Sequence, residues 1–368
     1  MKLISFLFIF LFSVQSLALK LELLGHAEIP NKMKFKGTQV GGLSALHFQA
    51  DTQTLWALSD DRGGQSEPRI YKLKLKYEAD KNSLKNFTVA IEDVVLLKRT
   101  TAKNVREVLD LESFAFLPWG NLLIASEGDG NKKPRLMPQL RDVKVDGTFI
   151  RNFPIPDLFL PETSGKQKTG VRNNLGFEGM TQIPQKNEWI LATEASLAQD
   201  QRKDEKSLVR WIQYTMSDAW VIKPAKQWAY SLDISKAPLS FQNGISEILA
   251  VNDHQVLVLE RRLEAGDGLR CKAQLFLADL KEATDISAIS SLSEAEVSDK
   301  AGSKIRPASK TLVLDFESLT SKIGKIENFE GMSWGPKLPN GKSTLLLVSD
   351  DNFMRDLRTQ ILIFAVDN

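Results

Sequence analysis

Five stretches of this 368-residue chain repeat one pattern, and the repetition limits the possible folds more than any other feature. They read VGGLSALHFQADTQTLWALSDD, LESFAFLPWGNLLIASEGD, FEGMTQIPQKNEWILATEAS, QNGISEILAVNDHQVLVLERR and FEGMSWGPKLPNGKSTLLLVSDD. Each is a short strand-like run, a polar turn and a second strand. With Gly42, Ser113, Gly179, Gly244 and Gly331 taken as equivalent, the spacings are 71, 66, 65 and 87 residues. Compact propeller repeats span about 40 to 50 residues, so extra strands or loops must fill the difference.

Candidate strands follow every hairpin: PRIYKLKL and FTVAIEDVVLL, PRLMPQLRDVKV, SLVRWIQYTM and KQWAYSLD, CKAQLFLADL and KTLVLDF, and QILIFAVD. They are alternating or continuously apolar, rich in β-branched and aromatic residues, and bounded by Gly, Pro, Asn and Asp. Hardly any segment sustains a 3.6-residue period, so the chain reads as all-β. Four strands per unit, repeated radially, predict a β-propeller of five blades, with six as the alternative. The last repeat lacks a fourth strand, whereas LELLGHAEIP near the amino terminus lacks a partner. Pairing the two closes the ring and removes two sheet edges. The repeat covers residues 19–368, which are read as one domain. The polar stretch 281–309 is expected to be an excursion from the fourth blade, and 154–174 a long loop before the third.

Residues 1–18 are read as a cleaved signal peptide: Lys2, an apolar run from Leu3 to Val14, then the small-x-small Ser16-Leu17-Ala18. The run is shorter than the ~20 residues that span a bilayer, so the chain is not expected to span a membrane. Export predicts a periplasmic or secreted protein. The lone Cys271 forms no internal disulfide, and an apolar content of 42% supplies a core without staples. With 48 basic and 46 acidic residues, charge gives no reason to expect a nucleic-acid partner.

Gly331-Met332-Ser333-Trp334-Gly335 has the G-x-S-x-G form of a serine-hydrolase elbow. That elbow turns from a strand into a helix, whereas Pro336 and Pro339 follow here. In the repeat, Ser333 aligns with Ser44, Ala115, Thr181 and Ser246, all on a first strand. The sequence therefore argues for a strand residue and against a nucleophile.

An acid follows the second strand in all five repeats: Asp60, Glu127, Glu194, Glu260 and Asp350. Acids also precede the first strand at Glu112, Glu178 and Glu330. In an antiparallel hairpin the start of one strand lies beside the end of the other, which puts both sets on one face. Crowded carboxylates stay partly protonated or hold a cation, and oxygen ligands without a His or Cys cluster suit Ca²⁺. The alternative is that each acid caps a turn or pairs with a neighbouring Arg. Arg62, Arg69, Arg135, Arg172, Arg261 and Arg262 follow closely, as ion-pair partners or as grips for an anion.

The motifs GLSALHF, LWALSDDRGG, DLESFAF, LLIASEGDG, GVRNNLGFEGMT, ILATEAS, NFEGMS and LLLVSDDN together resemble the exported phytase-like family, described by an "esterase-like activity of phytase" domain. The resemblance implies a propeller-like β fold, an extracytoplasmic location and action on phosphate esters. The positions that match are Ser59, Asp60, Asp61, Glu112, Glu127, Arg172, Asn174, Gly176, Glu178, Gly179, Glu194, Glu330 and Gly331. Gly41 and Asn243 stand where other repeats have Glu, which predicts weaker metal contributions from blades one and four.

The leading expectation is a Ca²⁺-dependent hydrolase of a phosphate or related ester. Asp60, Asp61, Glu112, Glu127, Glu260, Glu330 and Asp350 would hold the metal, Arg69, Arg135, Arg172 and Asn174 the substrate, and Glu178 or Glu194 would act as base. The alternatives are a non-catalytic propeller binding an envelope ligand and a lactonase-like propeller enzyme.

Overall fold

Runs such as TLLLV and QILIFAV are continuously apolar because their strands are buried on both faces, between two neighbouring sheets. The computed structural model describes residues 19–98, 109–202, 206–233, 240–266, 268–298 and 304–367; the expected signal peptide, 1–18, lies outside them. The chain begins with β1 (Lys20–Ile29) and a small hairpin, β2 (Lys34–Phe35) and β3 (Thr38–Gln39). Blade one is β4 (Leu43–Gln49), β5 (Thr54–Ser59), β6 (Arg69–Ala79) and β7 (Leu84–Leu96). Blade two is β8 (Leu111–Phe116), β9 (Leu122–Ser126), β10 (Gln139–Val143) and β11 (Phe149–Phe153). Blade three is β12 (Phe177–Gln182), β13 (Glu188–Thr193), β14 (Lys206–Met216) and β15 (Ile222–Asp233). Blade four is β16 (Ser240–Ala250), β17 (Gln255–Gly266), β18 (Gly268–Asp279) and β19 (Ser309–Asp315). Blade five is β20 (Asn328–Trp334), β21 (Ser343–Asp350) and β22 (Thr359–Asp367), with β1 as its outer strand.

The chain is thus a five-bladed β-propeller, as the repeat predicts. Strand β1 pairs antiparallel with β22 from Lys20 opposite Asp367 to Ile29 opposite Thr359. Strands β4, β8, β12, β16 and β20 touch one another around the ring and line its axis. Alternation within each strand sends side chains to opposite neighbours. Leu345 and Leu347 join the core shared with blade four, and Leu346 and Val348 the core shared with blade one. Three further clusters fill the other interfaces, so every blade is glued on two sides.

The excursion after β18 is anchored on blade three, where Ile286, Leu292 and Ile305 pack against Leu208 and Ala229. Beneath it the buried pair Arg210–Asp200 (2.6 Å) also binds the excursion's backbone at Ile289 and Leu292. Strand β11 of blade two is absent from the candidate strands of the sequence. Only Phe153 of its five residues is buried, so its apolar signal is weak.

Each hairpin has a matching register shift in its first strand, at Leu43/Ala45, Leu111/Ser113, Phe177/Met180, Ile245/Glu247 and Phe329/Gly331, and blade four has a second at Phe241/Gly244. Aligning these shifts corrects the repeat: blades one and four slide by three residues. Ser44, Glu112, Glu178, Ser246 and Glu330 become equivalent, and Ser333 corresponds to His47 and Leu249 in those blades, not to Ser44 and Ser246. Its hydroxyl accepts from Phe48 N (2.8 Å) and donates to Trp334 O (2.8 Å) within β20, as expected of a strand residue.

Candidate functional site

The inner strands begin at one end of the axis, beside the ends of the second strands. Three positions of each hairpin meet there. Asp60, Glu127 and Glu194 follow the second strands, Asp350 ends β21 and Arg261 lies within β17; Ser44, Glu112, Glu178, Ser246 and Glu330 belong to the first strands; Gly42, Asp110, Gly176, Gly244 and Asn328 lie two residues before those. The backbone N–H groups of Asp60, Glu127 and Glu194 donate to the carbonyls of Gly42 (2.8 Å), Asp110 (3.0 Å) and Gly176 (2.7 Å), which fixes each acid at the mouth. Glycine is needed beside them for space. A Cβ on Gly244 would lie 2.4 Å from Glu194 Cγ, and one on Gly176 2.7 Å from Glu127 Cβ.

Eight carboxyl groups therefore converge: Asp60, Asp110, Glu112, Glu127, Glu178, Glu194, Glu330 and Asp350. All are buried except Asp60, which is partly exposed. Arg261 sits among three of them, its Nη2 lying 3.2 Å from Glu330, 3.4 Å from Glu194 and 3.7 Å from Glu178. Arg62 takes the other side, with Nε donating to Asp110 (2.7 Å) and Nη2 facing Glu127 at 3.4 Å. It also donates to Asn174 Oδ1.

The acids outnumber these guanidinium groups, and protonation responds. Burial, then repulsion from neighbouring carboxylates, raises Asp60, Glu112, Glu178 and Asp350 well above the usual range. Burial and a hydrogen bond with Asp110 do the same to Glu127. Burial also raises Glu330, against the pull of Arg261. Glu194 is pushed by burial to about 7, with Arg261 opposing the shift. Burial disfavours the charged form of Arg261, but Glu330, Glu194 and Glu178 outweigh it and hold the proton more tightly than usual.

Among the described residues, two trios place ligand oxygens within 4.8 Å of one another: Asp60, Glu330 and Asp350, and Asp110, Glu112 and Glu127. The first contains an unsatisfied group. Asp350 Oδ1 accepts from Asn352 N (2.7 Å), whereas its buried Oδ2 has no hydrogen-bond partner among the described residues. Asn328, which donates to Glu330 (2.8 Å), likewise keeps a buried Oδ1 without a partner. An oxygen left ionised and partnerless in a dry site is costly, so the group keeps a proton or meets a hard cation, and the oxygen ligands of this trio fit such a cation.

The expected residues divide. Asp60, Glu112, Glu127, Glu178, Glu194, Glu330 and Asp350 share the mouth. Glu260 does not, which corrects the five-acid ring: it pairs with Ile245 inside β17 and its carboxylate binds Tyr230 OH (2.6 Å) and Lys310 (2.7 Å). The next residue, Arg261, takes the ring position. Asp61 and Arg69 form a fully buried pair at 2.6 Å. Asp61 also caps the turn at Gln65 N and Ser66 N, while Arg69 binds Tyr71 OH and Gln39 O, so both are held by the fold itself. Arg135 donates to the carbonyls of Glu162 (2.7 Å) and Gly165 (2.6 Å) and braces the long loop. Arg172 stays at the rim near Glu194, with Nε on Ser196 O (2.9 Å), and Asn174 is exposed beside Arg62. Asp110 is the ring member that the repeat misses, because it lies one residue before LESF, where the other blades carry Gly or Asn.

No curated protein matches this sequence. Among solved structures, a protein from Lactobacillus plantarum aligns at 8% identity over 89% of this chain and 78% of its own, with a TM-score of 0.35. A Saccharomyces cerevisiae assembly of Dbp5 with Nup159, Gle1, IP6 and ADP aligns at 8% identity over 95% and 96%, with a TM-score of 0.31. Such scores carry no functional argument. The model of one family, phytase-like, "esterase-like activity of phytase", matches residues 38–353. That match covers blades one to four, the two inner strands of blade five and the whole acidic mouth, and the chain belongs to this phytase-like family.

Proposed function

We propose that the protein is an exported, Ca²⁺-dependent phosphoric-ester hydrolase whose active site is the carboxylate mouth. Family membership and the propeller support a phytase-like kind of hydrolase. The observation that carries the metal dependence is the partnerless Asp350 Oδ2 buried beside Asp60 and Glu330. Those three residues would hold the ion, with Asp110, Glu112 and Glu127 as a second candidate set. A bound Ca²⁺ would supply positive charge to polarise the ester and acidify water.

The remaining chemistry belongs to side chains. Glu194, poised at about 7, can take a proton from water and return it to a leaving alcohol near neutral pH. Arg261 orients it and keeps its ionised form accessible. Glu178 faces the same Arg261 Nη2 at 3.7 Å and burial raises it too, which makes it the second candidate base. Arg62, whose side chain is 46% exposed, and Arg172 at the rim offer guanidinium groups to an incoming phosphate. Arg69 and Arg135 are left out of this role because the fold occupies them.

The test is phosphate release from phosphomonoesters and inositol phosphates, with Ca²⁺ and with chelator. Wild type is expected to be active only with Ca²⁺. Glu194→Gln should lower kcat by about 10²- to 10⁴-fold while the Ca²⁺-induced rise in Tm persists. No release from any substrate in Ca²⁺ would overturn the hydrolase reading and leave a binding propeller.

A further inference from the structure

The opposite end of the same inner strands holds a second cavity, of about 310 Å³. All five blades line it, from Leu46 to Phe48 in blade one through to Met332 to Trp334 in blade five. It is separated from the carboxylate mouth by Glu247, buried between the ends and bonded to the N–H groups of Met180 (3.1 Å) and Ile248 (2.9 Å). The two ends differ in chemistry. Among the described residues that line the second cavity there is no acid, lysine or arginine.

Its polar groups are mostly spoken for. Thr181 Oγ1 accepts from Ala250 N (2.8 Å), Trp334 Nε1 donates to Ala250 O (3.0 Å), and Ser333 is bonded within β20. Gln182 donates to Lys186 O (3.0 Å), and Gln185 lies exposed at the turn. His47 is different. It is partly buried against Phe116 and Phe114, with ring centroids 4.8 and 6.1 Å away, and its ring nitrogens make no hydrogen bond among the described residues. Burial lowers its pKa to about 4, so at neutral pH the ring is uncharged, with one donor and one acceptor nitrogen.

We infer that this cavity is a binding site for an uncharged, mainly aromatic or aliphatic small molecule carrying one hydrogen-bonding group for His47. A volume of this size lies at the lower end of small-ligand sites, which combine apolar walls with a few fixed polar groups. A charged ligand would be desolvated there without a partner charge.

The probe is N-phenyl-1-naphthylamine, which is uncharged, aromatic and carries one N–H. Titrated into the full protein, it should bind saturably, one per chain, quench Trp334 and be indifferent to chelator. Its sulfonated analogue, 1-anilinonaphthalene-8-sulfonate, should bind at least about tenfold more weakly. His47→Leu should weaken the neutral probe about fivefold, and Leu249→Trp, which adds bulk to the lining, should abolish binding with Tm little changed. If Leu249→Trp does not fold, His47→Leu and the Trp334 signal decide. Unsaturable binding, or equal affinity in wild type and His47→Leu, would overturn the site; equal affinity for the sulfonate would overturn its preference for an uncharged ligand.

Discussion

At the scale of the residue, the mouth trades stability for charge. Glu194 titrates near 4.5 when solvated and at about 7 when folded, so the native state binds its proton more tightly than the unfolded state does. Stability from that proton is complete below about pH 4.5 and is lost as pH rises through 7, a change on the order of 3 kcal/mol. The other raised carboxyls act in the same direction. Metal-free protein is therefore expected to melt at lower temperature at pH 8 than at pH 5. Under the proposed metal dependence, Ca²⁺ would bind the ionised groups and reverse the loss, adding about 2.7 kcal/mol at a hundred times its Kd. Calorimetric scans at both pH values, with Ca²⁺ and with chelator, check this; a chelated Tm that rises from pH 5 to 8 would contradict it.

At the scale of the element, the hairpin is the unit that delivers chemistry. Its register shift lets adjacent residues of the first strand point to the axis and to the neighbouring blade, and in blades three and four the glycine two residues earlier leaves room for the preceding blade's acid. Gly244→Ala should push Glu194 out of place, because the added carbon would lie 2.4 Å from its Cγ and 2.8 Å from Oε1. The expected cost is about 1 to 3 kcal/mol, together with reduced hydrolysis. Gly25→Ala is the control, since its added carbon would meet Phe87 at an ordinary 3.4 Å. Equal Tm shifts in the two variants would show that the acid does not need the space. The same hairpins explain the misplaced acid of blade four. LERR offers an acid and an arginine in succession, and only pairing of Glu260 with Ile245 shows which one reaches the axis.

At the scale of the whole molecule, closure is the decisive contact. Residue Leu19 already packs in the core between blades four and five, and β1 covers the otherwise bare edge of β22. Removing residues 1–18 should leave Tm unchanged, and export predicts a mature amino terminus near Leu19, read by amino-terminal sequencing. Removing residues 1–29 should expose β22, whose residues are buried from Thr359 to Val366, and yield aggregated protein. A soluble, monomeric product of the longer deletion, melting like wild type, would show that the ring does not depend on closure.

The five hairpins, the strands beyond them other than β11, the closing strand and the gathering of acids at one end are legible in the residues alone, because each leaves a local mark: apolar runs, turn residues and a repeated carboxylate. Which of those residues meet is settled only in three dimensions. A slip of one position moves a side chain from the axis to a blade interface, so Arg261 replaces Glu260 in the ring and Ser44 and Ser246 fill the places of acids. The pairing of Asp61 with Arg69, the brace made by Arg135 and the entry of Asp110 depend on contacts between distant segments. Periodicity carries no record of those contacts, because the free energy of a buried charge is set by its neighbours in space.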